Sequence, residues 1–267
     1  IGDDAAVAFG KAIKKTKNLR TLDIHSNNIA ATKDDGVVAL ANGLQQNSSL
    51  LSLDLSANQI KGKDATVLAN AFSSNSSSNL ERLSLGANDI RTTGAIALAN
   101  SLKISCRILD LDLSQNDIGD KGAMEFAKIL STTNNNNEYY FKNLRVLDLG
   151  GNEIGNLGAI VLARALKNTT IQKLNLEMNE IANAGVVALA HALKTNTMLS
   201  DVNIDENKIG RIGVLAFRET LHMNCRLGSV SFLGNDNLAG DNDEDEELLL
   251  DELERLLETE TRTRMKK

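Results

Sequence analysis

The stretch that decides the fold is Ile171–Leu193, IQKLNLEMNEIANAGVVALAHAL. Ile171, Leu174 and Leu176 follow the spacing L-x-x-L-x-L, with Asn179 three residues later and Ile181 two after that. Alternation over 174–176 predicts a short strand with one buried side. Asn179 stands at a corner, where its amide can satisfy backbone groups that a turn leaves unpaired. Gly185 reads as the point where the backbone is re-aimed, and Leu189 and Leu193 then lie four apart on one helical face. Val186 and Ala190 are small neighbours that allow close packing.

Working outward, the frame recurs. Leu144, Leu147, Leu149, Asn152, Ile154, Gly158, Leu162 and Leu166 match it position for position, and so do the copies starting at Leu199 and Ile108. Earlier copies start at Leu19, Leu50 and Leu80, with corner Asn27, Asn58 and Asn88, and an eighth strand starts at Leu227. In the second of these, Asp64 takes the place of the glycine, a residue that also tolerates turns. Sequence periods of 20–50 residues mark solenoids, in which one unit cannot bury its apolar side alone and stacking supplies the core.

These motifs resemble the leucine-rich repeat family, in its ribonuclease-inhibitor-like subtype with a strand and a full helix per repeat. The resemblance covers about residues 1–238 and implies an α/β fold over a domain of residues 1–240: a horseshoe solenoid of about eight strands with a parallel sheet on the concave face and helices on the convex face. Residues 241–267 read as an acidic C-terminal capping helix and tail. Asp241–Glu247 suit the first turn of a helix, and Leu249, Leu253 and Leu256 form its apolar stripe. Ile1, Ala5, Phe9 and Ile13 fit the frame just after a corner, so the chain reads as a fragment whose first repeat lacks its strand.

Composition narrows the function classes. Of 35 acidic and 29 basic residues, the tail 241–267 holds 11 and 5, which leaves 24 of each in the solenoid. A neutral body without a basic stripe argues against nucleic-acid binding, and no apolar run is long enough to cross a membrane. Cys106 and Cys225 each precede a strand, the two strands being four apart, roughly 19 Å at normal strand spacing. Both read as reduced thiols in an intracellular, cytoplasmic protein. There is no phosphate loop and no paired cysteine or histidine at metal spacing. His25, His191 and His222 hold unrelated frame positions, so neither a metal nor a catalytic histidine site is expected, and no cofactor is implied.

The residues between strand leucines are the informative ones, because period two sends them away from the helices. The fifth frame position reads Asp23, Asp54, Ser84, Asp112, Asp148, Asn175, Asn203 and Ser231, a polar column or an acidic floor. Neighbouring positions add Arg20, His25, Glu81, Arg82, Asp110, Arg145, Gln172, Lys173, Glu177, Asp201, Asp205 and Glu206. The later strands lean acidic and are expected to receive basic residues of a partner. Between Leu130 and Leu144 an insertion, STTNNNNEYYFKN, carries Tyr139, Tyr140 and Phe141, either folded onto the solenoid edge or serving as aromatic contact residues.

The expected function is a non-enzymatic interaction scaffold that binds another protein on the concave face and edge loops, with a place in a larger assembly left open. Two alternatives follow from the resemblance. Ran GTPase activators share the repeat subtype and an acidic tail, but Arg91 and Arg211, which follow corner isoleucines, do not reproduce their functional motif. NLR-type receptors carry such arrays as the recognition end of a longer chain.

Overall fold

A computed structural model describes residues 2–30, 35–75, 78–102, 107–132, 143–167, 169–223 and 226–235. Among these, helices and strands alternate throughout. Helix α1 (Asp3–Lys15) comes first. The pairs that follow are β1 (Thr21–Asp23) with α2 (Asp35–Leu44), β2 (Ser52–Asp54) with α3 (Gly62–Ser74), and β3 (Arg82–Ser84) with α4 (Arg91–Leu102). Next are β4 (Asp110–Asp112) with α5 (Gly119–Ser131), β5 (Val146–Asp148) with α6 (Asn156–Leu166), and β6 (Lys173–Asn175) with α7 (Asn183–Leu193). The last are β7 (Asp201–Asn203) with α8 (Arg211–Met223), then β8 (Ser229–Ser231). The Tyr139–Phe141 insertion, both cysteines and the segment 241–267 lie outside the described residues.

The eight strands form one parallel sheet in sequence order, β1 to β8. Register is constant: Leu53, Leu83, Leu111, Leu147 and Leu174 pair with their neighbours, so each frame position becomes a column across the sheet. Each strand's central residue points into the helix layer, and the residues flanking it face outward, as period two requires. Leu53, Leu55, Leu83, Leu85, Leu111 and Leu113 are buried against Leu68, Leu98 and Phe126 of the helices. Phe217 and Phe232 meet edge to face, their ring centres 5.2 Å apart, and close the core at its last repeat.

The corner is held by the asparagine column. Asn179 Nδ2 donates to the carbonyls of Leu149, Leu176 and Glu177, and its Oδ1 accepts from the backbone N–H groups of Asn152 and Ile154. Asn152 and Asn235 bind their preceding repeats in the same manner. One side chain thus satisfies buried backbone groups of two repeats, which irregular chain inside a protein requires.

Two expectations about the turn are corrected. The backbone is re-aimed not at Gly185 but at the residue before the corner asparagine. Ser26, Ala57, Ala87, Gln115, Gly151, Met178, Glu206 and Gly234 all have φ between +49° and +68°, and only two of these eight are glycine. Gly185 instead lies inside α7, where an added Cβ would approach Ile181 Cγ2 at 2.8 Å and Ala159 Cβ at 2.9 Å. It is small because the neighbouring helix passes close by. Asp64 is likewise no turn residue: it is buried in the first turn of α3 and accepts from Lys61 N–H at 2.9 Å.

A second column was missed in reading the sequence. Gly155 and Ala182, the N-cap residues of α6 and α7, offer no side-chain cap. The preceding repeat supplies it. Asp120 Oδ1 accepts from Gly155 and Gly158 N–H, both at 2.8 Å, Asn156 Oδ1 from Ala182 and Gly185, and Asn183 Oδ1 from Gly210 and Gly213. Helix termini carry unpaired donors, and here each is closed by its neighbour.

Candidate functional site

The helices cover one face of the sheet, and the other is open. Its outward side chains stand in columns about 4.8 Å apart along the stacking direction. Constant register brings together the predicted residues of the third and fifth frame positions: Arg82 beside Asp110, Lys173 beside Asp201, and Asp112 beside Asp148.

Much of the fifth-position column is occupied with itself. Asp54 Oδ1 accepts from the N–H and hydroxyl of Ser56, whose Oγ lies 2.6 Å from Ser84 Oγ. Ser84 Oγ in turn donates to Asp112 Oδ2 at 2.6 Å, and Asp112 Oδ1 accepts from Ser114. Asp148 accepts from Gly150 N–H and from Asn175 Nδ2. The polar-column reading therefore describes the structure, and the acidic floor is what remains of it after internal bonding. Burial, then the Asp112 charge, raises the Asp110 pKa above the ordinary aspartate value, and Arg82 works against both. Burial likewise raises that of Asp148, the hydrogen bonds from Gly150 and Asn175 opposing it.

The later strands form a groove of about 440 Å³ over β5–β8, lined by Val146, Asp148, Lys173, Asp201, Asp205 and Ser229 among others. The four acids expected to act together are divided by the structure. Glu177 Oε2 accepts from Asn203 Nδ2 at 2.6 Å, and Asp205 Oδ1 accepts from Leu233 N–H at 2.6 Å, so both also hold adjacent repeats together. Asp201 lines the groove and accepts from Ser200 Oγ. Glu206 is exposed at the left-handed corner position. A second depression of about 270 Å³ lies over β2–β4, between Asp54, Arg82, Asp110 and Asp112.

Arg20 Nη1 donates to the Ser49 carbonyl at 3.0 Å, Arg82 and Glu81 form an exposed pair at 3.8 Å, and Arg145 is exposed. His25 Nδ1 lies 2.6 Å from Asp23 Oδ1, which raises the histidine pKa and lowers that of the aspartate. Arg91 is exposed, left-handed in φ, and bound to Asp89 through Nε at 2.5 Å. Sequence reading missed that Asp54 of the next strand completes a group with Asp23 and His25, since it compared histidines with one another and not with the adjacent column. Among the described residues no helix is long and apolar enough to cross a membrane.

The model of the family described as "Leucine Rich repeat" matches residues 46–69, 76–99, 106–127, 142–163 and 167–190. Among solved structures the chain is similar to the "Leiomodin-1 Actin-Binding Site 2", at 15% identity and a TM-score of 0.48, over 65% of this chain and 94% of that one. A likeness of that strength bears on neither partner nor function. Curated proteins give no match. Residues 46–190 thus carry five leucine-rich repeats, and the unbroken register of β1–β8 makes the described chain a leucine-rich repeat solenoid.

Proposed function

We propose that this chain is a non-enzymatic scaffold of the ribonuclease-inhibitor-like subtype that binds a partner protein across the open sheet face. The observation that carries the reading is the face itself: eight strands in constant register present polar and charged columns over an open surface. Such a rigid, extended surface suits protein binding. Among the described residues the helices run 10 to 13 residues, which supports the subtype. The acidic end of the face, with exposed Glu206 and with Asp201 in the groove, is where basic groups of the partner dock. Tyr139, Tyr140 and Phe141 supply aromatic contact residues for the partner. Work inside the cell is supported by the sheet order, which keeps the strands after Cys106 and Cys225 four positions apart.

The test is affinity capture with the full chain beside an Asp201→Lys/Glu206→Lys variant, followed by measured affinity for each captured protein. Both residues stand clear of the bonds that tie repeats together, so the fold is retained. Loss of at least tenfold in affinity, steeper at low salt, is expected. Equal binding by the two proteins would refute the acidic end as the docking site.

A further inference from the structure

The first two strands place an imidazole against two carboxylates. Asp23 on β1 and Asp54 on β2 are register partners, and His25 follows Asp23 by two residues on the same face. One ligand atom from each residue lies within 4.8 Å of the other two. The backbone beneath is fixed by Ile24 N–H on the Asp54 carbonyl at 3.1 Å and Ser26 N–H on the Ser56 carbonyl at 2.9 Å.

We propose that Asp23, His25 and Asp54 bind a divalent first-row transition ion, of which zinc is the type. The donor set is the argument. Carboxylates alone suit hard, hydrated ions, whereas a mixed imidazole and carboxylate set suits zinc and its neighbours. The same sheet contains its own comparison. Asp112 and Asp148 are also register partners, but the residues two positions on are Ser114 and Gly150, so that pair has no nitrogen donor. Only the first pair combines both.

The side chains can reach a metal. Bond lengths of about 2.0–2.2 Å set the ligand atoms of a tetrahedral centre about 3.4 Å apart, a spacing that rotamer adjustment reaches from atoms lying within 4.8 Å of one another. Asp23 and His25 are more than half exposed and have the rotamer freedom for that adjustment. Both Asp54 bonds to Ser56 run through Oδ1, and Oδ2 is the atom that turns to the ion. Three protein ligands leave at least one position for water or for a donor from a bound partner. The ion then makes this end of the face attractive to an anionic group, at the opposite end of the sheet from the acidic groove.

The experiment is calorimetric titration of the metal-free full chain with Zn²⁺, in a Cys106→Ser/Cys225→Ser background that removes thiolates as competing ligands. One ion per chain is expected, together with a shift of the His25 ring resonances on addition of Zn²⁺. His25→Ala and Asp54→Asn should each weaken binding by about 10- to 100-fold. Asp112→Asn should leave affinity within about twofold, since it removes charge without removing a ligand. Circular dichroism verifies that each variant is folded. Undiminished affinity in His25→Ala, equal weakening by Asp112→Asn, equal displacement by Ca²⁺, or no uptake below about 1 mM would each overturn the assignment.

Discussion

Replacing Asn179 by alanine should cost far more than the same change at Asn58, although both are buried corner asparagines. Asn179 makes five hydrogen bonds, three through Nδ2 to carbonyls and two through Oδ1 to the N–H groups of Asn152 and Ile154. Asn58 makes the same kind of Nδ2 contacts, to Ile24, Leu55 and Ser56, but its Oδ1 has no partner. Removing Asn179 therefore strands two buried N–H donors that removing Asn58 does not. At about 1–3 kcal/mol for each stranded buried group, Asn179→Ala should lose about 2–6 kcal/mol more than Asn58→Ala. Urea unfolding followed by circular dichroism measures this through the midpoint, with matched slopes required because repeat arrays can lose cooperativity. Equal losses at the two sites would show that the accepted N–H bonds are replaced by water and that the ladder does not lock the repeats.

Three further outcomes are expected. Gly185→Ala should destabilise by about 1–3 kcal/mol through overpacking against Ile181 and Ala159, reversing the helix-propensity gain, and a raised midpoint would refute the close-packing account. Asp120→Ala should cost about 0.5–2 kcal/mol by uncapping α6 in the next repeat, with faster hydrogen exchange at Gly155 and Gly158 as the local readout. Asp110 has its folded pKa raised, so its ionisation opposes folding at neutral pH, and the penalty fades as pH falls through the folded value toward the ordinary aspartate range. Asp110→Asn should thus raise the melting temperature slightly at pH 7 and not at pH near 3.5, the gain being some tenths of a kcal/mol after solvent screening.

What could be read from the sequence follows from how far apart the interacting residues lie. Leu174, Leu176 and Asn179 act within one repeat, at spacings set by strand period and turn geometry, so their roles are visible in twenty residues. Asp120, Asn156 and Asn183 act on the following repeat. Their common frame position was the available signal, and it needed the repeats to be aligned in register before it meant anything. Gly185 was assigned to the turn for the same reason: the atoms that exclude a methyl group there belong partly to Ala159 and Asn156 of the repeat before. The left-handed corner was hidden because six of its eight residues are not glycine, the conformation being imposed by the ladder and not by local preference.

The open face shows the same rule applied to function. Counting acids along the strands overstates what a partner meets, because a solenoid places like residues one strand apart and lets them bond to one another. Asp112 uses both oxygens internally, on Ser114 and on Ser84. Asp205 and Glu177 each join two repeats. Exposed Glu206 and Lys173, with Asp201 in the groove, are the groups that the proposed binding mode would use. Substitution within the self-bonded column should consequently appear in stability first, and substitution at Glu206 or Lys173 in binding alone. The division follows from geometry: a carboxylate already desolvated and bonded has little left to gain from a partner, while an exposed one retains its full interaction. On the proposed binding mode, specificity would therefore belong to the residues that break the column pattern, His25 at one end of the sheet and the charges around β7 at the other.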